Sequence, residues 1–314
     1  MWSDALQRYT VLAAPAPPSP PAMAGVWGDR AEEAAWSDAL RRCRRRAPVG
    51  AAVGAADLPR IVHIVHQVWL GPAPIPARCL AAMRTWRALH GTWTYKLWRD
   101  ADVASLAMAP PVRRAYALAR NFGEKSDIAR YAILQKHGGV YADVDVDCVA
   151  GFDGLHAFEA EVDFYCGESN TPAAVELGNS LIGARPGHPL LEQCLLRAAS
   201  APPPPPPLAA MAASGMPPAL AAMLGGADAG ALAAALRPAG GDVDGTIGRT
   251  GPGMFTRVVL GALADGGPGL HGVAVFPPAT FYPVPNSVPL GEAEVADWAT
   301  EETLAAHLWA KSWQ

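Results

Sequence analysis

Lys125-Ser-Asp-Ile-Ala-Arg-Tyr-Ala-Ile-Leu-Gln-Lys-His-Gly138 runs straight into Gly139-Val-Tyr-Ala-Asp143-Val-Asp145. The first part reads as a helix, and the Gly138-Gly139 pair as its stop, because glycine tolerates the positive φ that ends a helix. The second part reads as a short buried strand, Val140–Val146. Its alternation sends Tyr141, Asp143 and Asp145 to one side and Val140, Ala142, Val144 and Val146 to the other. On the helix, Asp127 and Arg130 lie three apart and share a face. Helix spacing alone makes them a solvated pair worth about 0.3 kcal/mol. Carboxylates at the end of an apolar strand are costly to bury unless they are paired or bound to a cation. A divalent ion with a phosphate ligand meets that need.

Asp-x-Asp is a weak signal by itself. It recurs at Asp100/Asp102, Asp145/Asp147 and Asp242/Asp244. An EF-hand reading of Asp143-Val-Asp145-Val-Asp147 fails, since that loop needs glycine and glutamate where this chain has Cys148 and Gly154.

From Ile61 onward strands and helices alternate: strand Ile61–Trp69, helix Ala77–His90, strand Trp93–Trp98, helix Arg120–His137, the Val140–Val146 strand, strand Val162–Cys166 and helix His188–Ala199. Helix Pro252–Ala264, strand Val273–Phe276 and a closing Leu304–Trp313 segment follow. Such alternation predicts a mostly parallel, three-layer α/β sheet. Ligands then gather beyond the carboxyl ends of its strands, where Trp69 and Asp145 fall. The region 1–57 reads as a peripheral helical and proline-rich segment, in which Trp2–Leu6 is repeated as Trp36–Leu40. A catalytic domain occupies 58–314, with a proline-, alanine- and glycine-rich insert at about 200–248.

The chain has 314 residues, 51% of them hydrophobic, enough for one sizeable core. A net charge of −4 argues against a nucleic-acid binder. The basic run Arg41–Arg46 reads as a solvated helix flank, with attraction to an anionic membrane as the other reading. Five cysteines contain no Cys-x-x-Cys pair and imply neither a disulfide framework nor a zinc knuckle. His63 and His66 are odd-spaced on a strand and cannot chelate together. No signal peptide and no unbroken apolar stretch of about 20 residues is visible.

Six blocks together resemble glycosyltransferase family 32, the DXD-motif sugar transferases. Its members include endomembrane mannosyltransferases, with the clostridial toxin glucosyltransferase domains as distant relatives. Besides the opening stretch, the blocks are Pro59–Gly71, Asn179–Pro189, Thr250–Pro252, Phe281–Pro283 and His307–Trp313. The resemblance implies a GT-A-like nucleotide-sugar-binding sheet with flanking helices. It implies a metal-dependent transferase with retention at the anomeric carbon, moving a hexose (mannose favoured) from a nucleotide-sugar donor to a glycan or sphingolipid acceptor. UDP-glucose or UDP-galactose as donor is the runner-up, and a metal-dependent phosphohydrolase or nucleotidyltransferase, or a non-catalytic sugar binder, stands behind that. The cofactor implied is Mn²⁺ or Mg²⁺, with Asp145 and His307 as metal ligands. Asp127, Arg130 and Asp143 are the implied catalytic residues. Trp69, Tyr141, Asp143, Asn179, Ser312 and Trp313 are the donor contacts, Trp69 by stacking on the base. Golgi or endomembrane localisation and peripheral membrane association follow by resemblance alone. Relatives in the secretory pathway are commonly membrane-anchored near the N-terminus; no such segment is visible here, and the expectation is either a soluble protein or a true start upstream of Met1.

Overall fold

The computed structural model describes residues 30–47, 60–158, 162–171, 175–200, 245–267, 269–288 and 295–310. The first Trp-Ser-Asp-Ala-Leu copy, nearly all of the 200–248 insert, Asp242/Asp244, Ser312 and Trp313 lie outside them.

A six-stranded sheet organises the chain. Its strands are β1 (Ile64–Val68), β2 (Thr94–Trp98), β3 (Gly139–Ala142), β5 (Phe164–Glu168), β6 (Leu177–Ala184) and β7 (Val273–Phe276), in the order β2-β1-β3-β6-β5-β7. β1 pairs in parallel with β2 and β3, and β5 with β7, while β6 runs antiparallel between β3 and β5. The sheet is therefore mixed. β6 is a strand that the alternation rule passes over, because no helix separates it from β5.

The period-two pattern of each strand divides the core. One face carries Tyr141, Phe164, Cys166, Ile182, Val273 and Val275. It is covered by α1 (Arg30–Cys43), α4 (Pro110–Ala117), α5 (Phe122–His137), α7 (Pro189–Ser200) and α9 (Pro252–Ala264). The other face carries Val65, Val140, Ala142, Tyr165, Leu181, Ala274 and Phe276. α2 (Ala77–Leu89), α6 (Asp153–Phe158) and α10 (Pro278–Phe281) cover it. Two short helices, α3 (Asp100–Ala104) and α8 (Thr246–Arg249), complete the set among the described residues.

The second Trp-Ser-Asp-Ala-Leu copy lies in α1, and its Trp36 and Leu40 are buried in the main core. The basic run that follows is not uniformly solvated. Arg41 and Arg42 are exposed, but Arg44 bonds the buried Glu168 at 2.7 Å and the Arg45 N–H donates to Val275. This ties α1 to the sheet edge at β7.

The α5–β3 junction follows the glycine logic. Gly138 and Gly139 have φ of 64° and 93°. A Cβ on Gly139 would lie 2.6 Å from the Ile64 carbonyl oxygen. β3 then ends at Ala142, earlier than the sequence pattern predicts. Asp143–Asp145 form a tight link closed by Val146 N–H donating to Asp143 O, and the chain continues as β4 (Val146–Cys148). β4 pairs antiparallel with β8 (Ala305–His307) in a separate two-stranded ribbon.

Candidate active site

The link between β3 and β4 places both aspartates beyond the carboxyl end of the central strand. Gln67, wholly buried on β1, fixes it by donating to Asp143 O at 3.1 Å, and Tyr95 OH donates to Gln67 Oε1 at 2.6 Å. From α2, Trp86 Nε1 donates to Val146 O at 2.7 Å. Buried backbone groups of an irregular link need such partners.

The Asp143 carboxylate accepts from Tyr141 OH at 2.6 Å and lies 3.2 Å from the Arg130 guanidinium. Arg130 also bonds Asp127 at 3.1 Å and Asn179 O at 2.6 Å, with its guanidinium 4.6 Å from the Tyr141 ring centre. The Arg130 and Asp127 side chains are only 5% and 7% exposed, which excludes the solvated pair that helix spacing alone predicts. Asp127 further accepts from Asn179 Nδ2 and Thr250 Oγ1, both at 2.8 Å. Tyr131 OH closes the network, accepting from Asn179 and donating to Thr250 O. Burial pushes the Asp127 carboxyl up to about 6 against the pull of Arg130 and these hydrogen bonds. Asp143 and Asp127 keep Arg130 charged despite its burial.

Asp145 is held from the late chain. Leu308 N–H donates to its carbonyl at 3.0 Å and Ala310 N–H to its Oδ2 at 2.8 Å. Trp309 between them has φ of 53°, a conformation of order 1–3 kcal/mol above the relaxed backbone for a bulky residue. The Trp309 ring lies 4.2 Å from that of His307, and its indole donates to Val284 O. His307 Nε2 stands 3.4 Å from Asp145 Oδ2. Burial would raise the Asp145 carboxyl, but His307 and the Ala310 N–H outweigh it and hold it below the ordinary range.

Asp143, Asp145 and His307 each offer one donor atom, all within 4.8 Å of one another. His307 Nδ1 is buried without a hydrogen-bond partner. Two carboxylate oxygens and one imidazole fit a divalent ion of Mn²⁺ or Mg²⁺ type. Beside them opens a cavity of about 290 Å³ lined by Trp69, Pro74, Arg78, Cys79, Asp145 and Leu308, among others. Trp69 is only partly buried and its indole donates to Ala73 O, so part of the ring is left accessible.

Of the site residues expected from sequence, Asp127, Arg130, Tyr141, Asp143, Asp145, Asn179 and His307 form one connected cluster, and Trp69 joins it across the cavity. Tyr141 is wholly buried, and its hydroxyl donates to Asp143 and orients that carboxylate. Sequence reading missed Gln67, Tyr131 and Thr250 as network members. Thr250 sits in a quoted block, but nothing in its spacing points to Asp127, 123 positions away. Asp102 caps α3 by accepting from the Arg99 N–H and bonds Lys96, while Asp100 accepts from the Gly71 N–H.

A family model described as "Glycosyltransferase sugar-binding region containing DXD motif" matches residues 76–161. Inositol phosphoceramide mannosyltransferase 3 of Schizosaccharomyces pombe is 31% identical over 135 residues, covering 42% of this chain and 36% of its own. An uncharacterized glycosyltransferase of Acanthamoeba polyphaga mimivirus is 27% identical over 139 residues, covering 42% of this chain and 53% of its own. The chain thus spans between about a third and a half of the curated relatives it matches. Among solved structures, the ligand-free glycosyltransferase domain from the YGT toxin aligns with a TM-score of 0.43 at 12% identity, over 69% of this chain and 80% of that one. PaToxG glycosyltransferase aligns with a TM-score of 0.41 at 13% identity, over 76% and 90%. The stretch that builds α2 through α6, Asp143 and Asp145 included, is the part of the chain similar to the DXD-containing sugar-binding region of glycosyltransferases.

Proposed function

We propose that this chain is a metal-dependent glycosyltransferase that moves a hexose, mannose favoured, from a nucleotide sugar to a lipid or glycan hydroxyl. The observation that carries the reading is the convergence of Asp143, Asp145 and His307 beside a cavity walled by Trp69, the two aspartates lying inside the matched region. The mannosyl donor and sphingolipid acceptor lean on what the yeast relatives are named for.

In this reading the leaving group is a nucleoside diphosphate, and catalysis must stabilise negative charge growing on its bridging oxygen. A divalent ion held by Asp145, His307 and Asp143 would supply Lewis-acid stabilisation there. The rest is the work of the chain. Trp69 offers an aromatic face for the base. Asp143, with 26% of its side chain exposed, would meet the sugar hydroxyls, the buried Asp127–Arg130–Asn179 network would hold it in place, and the Gln67 and Tyr141 bonds would keep it from rearranging as charge develops. Retention is what the family resemblance implies, and with Asp127 and Asp143 held in ion pairs by Arg130 the favoured course is front-face attack by the acceptor hydroxyl rather than a covalent glycosyl-enzyme.

The test is to incubate purified protein with Mn²⁺ or Mg²⁺ and a panel of GDP- and UDP-sugars, following melting temperature and released nucleotide. One donor should both stabilise the protein and release its nucleotide in a metal-dependent way. Release of phosphate instead would replace the reading with a phosphohydrolase, and binding without release would leave a sugar-binding protein.

A further inference from the structure

Leu118 and Phe122 are 46% and 43% exposed, and they lie four residues apart where α4 passes into α5. The other large exposed apolar side chains among the described residues, Leu80, Leu196 and Trp298, stand on separate elements. Single exposed apolar residues are ordinary, whereas neighbours at one rim call for a covering partner. The Phe122 ring is held upright against the loop that follows Trp69: a Cβ on Gly71 would come within 2.5 Å of its Cζ. The Lys125 ammonium lies 5.6 Å from the Tyr116 ring and 5.8 Å from the Phe122 ring, so one cation sits between two aromatic faces.

Charge around this rim opposes that of the whole chain. Residues 109–125 carry Arg113, Arg114, Arg120 and Lys125 against Glu124 alone, four positive and one negative, in a protein of net charge −4. Glu124 is buried and bound by Arg120, leaving exposed Arg113 and Arg114 to face outward. Asp100, near Tyr116, is engaged by the Gly71 N–H.

We propose that this rim is a docking surface for an anionic lipid bilayer, with Leu118 and Phe122 entering the interface and Arg113, Arg114 and Lys125 meeting headgroup charge. An aliphatic and an aromatic side chain flanked by cations suit an interface that offers acyl chains and anionic headgroups together. A nucleic acid would leave the Leu118 side chain without use. Docking here brings the loop carrying Trp69 to the bilayer. If the proposed transfer is correct, a lipid-borne acceptor then meets the cavity without leaving the membrane.

The experiment is flotation of the full chain with phosphatidylcholine vesicles, with and without phosphatidylserine. It reads binding and not turnover, so its failure is separate from failure of the transferase reading. Binding should require phosphatidylserine and be released by salt well above physiological strength. Arg113→Ser/Arg114→Ser should weaken partitioning about thirtyfold, from about fivefold for each cation. Leu118→Ser should weaken it alone, and more with Phe122→Ser, in variants that keep the parental far-ultraviolet signal. Leu196→Ser, which removes an even more exposed leucine elsewhere, should bind as the parent does. Absence of binding to phosphatidylserine vesicles, parental binding by the double-arginine variant, or equal loss in Leu196→Ser would each overturn the proposal.

Discussion

Replacing Arg130 by methionine keeps much of the side chain's volume and removes its charge. The guanidinium lies 3.1 Å from Asp127, 3.2 Å from Asp143 and 2.6 Å from Asn179 O, with 5% of the side chain exposed. Taking one partner from a buried ion pair costs about 3–5 kcal/mol, because the opposite charge stays desolvated and uncompensated. For a chain of this size that is a fall in melting temperature of roughly 6–15 °C. The loss should depend on pH. Asp127 already titrates at about 6 in the folded protein, above the ordinary carboxyl value of 3.8. Without Arg130 its folded value rises further, and a raised carboxyl stabilises the fold below its unfolded value and loses that stability as pH climbs through the folded one. Arg130→Met should therefore be more destabilising at pH 8 than at pH 5, and Asp127→Asn added to it should restore part of the loss. Thermal unfolding of the parent and the two variants at both pH values is the assay. A penalty below about 1 kcal/mol, or one equal at both pH values, would return the pair to the class of solvated surface bridges and refute the buried-network argument.

Donor plus Mn²⁺ should raise the melting temperature by several degrees, since ligand at a hundred times its Kd adds about 2.7 kcal/mol. An equal shift in excess EDTA would show that no metal bridges the two. Asp145→Asn should abolish that shift and turnover while leaving a folded protein, whereas full activity would move the metal site elsewhere. His307→Ala should raise the Mn²⁺ concentration needed for half-maximal stabilisation, and an unchanged titration would remove His307 from the ligand set. Burial holds His66 near 4, His156 near 3 and His188 near 4, below the ordinary 6.5. The unfolded chain takes up protons there that the folded chain refuses, so the rings' share of stability, present above pH 6.5, should fall on the way to pH 4. Asp127, Glu176, Asp143, Asp147 and Glu168, all raised by burial, oppose this over the same range. The check is therefore titration of the histidine ring proton signals in the folded protein, where a ring that protonates near the ordinary value would contradict its burial.

Local signals carried the parts of the fold that local physics decides. Gly138-Gly139 marks the helix stop because only glycine accepts both the positive φ and the close approach to Ile64. Helix Pro252–Ala264 and strand Val273–Phe276 begin and end where their patterns say. What the sequence conceals is set by partners distant along the chain. β3 stops at Ala142 because the next residues turn toward β8, and no property of Asp143-Val144-Asp145 announces a strand in the 305–307 region. Asp127 and Arg130 have the spacing of a surface pair, and only the packing of β6 and Thr250 over them makes them a buried one. α1 looks peripheral by composition, yet Trp36, Leu40 and Cys43 belong to the main core, which an amphipathic repeat cannot reveal without knowing what it faces.

The ribbon of β4 and β8 bears on the order in which the protein acquires its parts. Asp145 is immobilised by Ala310, 165 positions further along. Closing so long a loop is entropically slow compared with forming α5 or the neighbouring β1 and β2. A refolding chain can then regain helix, and much of its sheet, before Asp145 and His307 come together. Recovery of metal-dependent ligand binding should lag recovery of the far-ultraviolet signal, leaving a compact species that is already folded by most probes and still blind to its ligand.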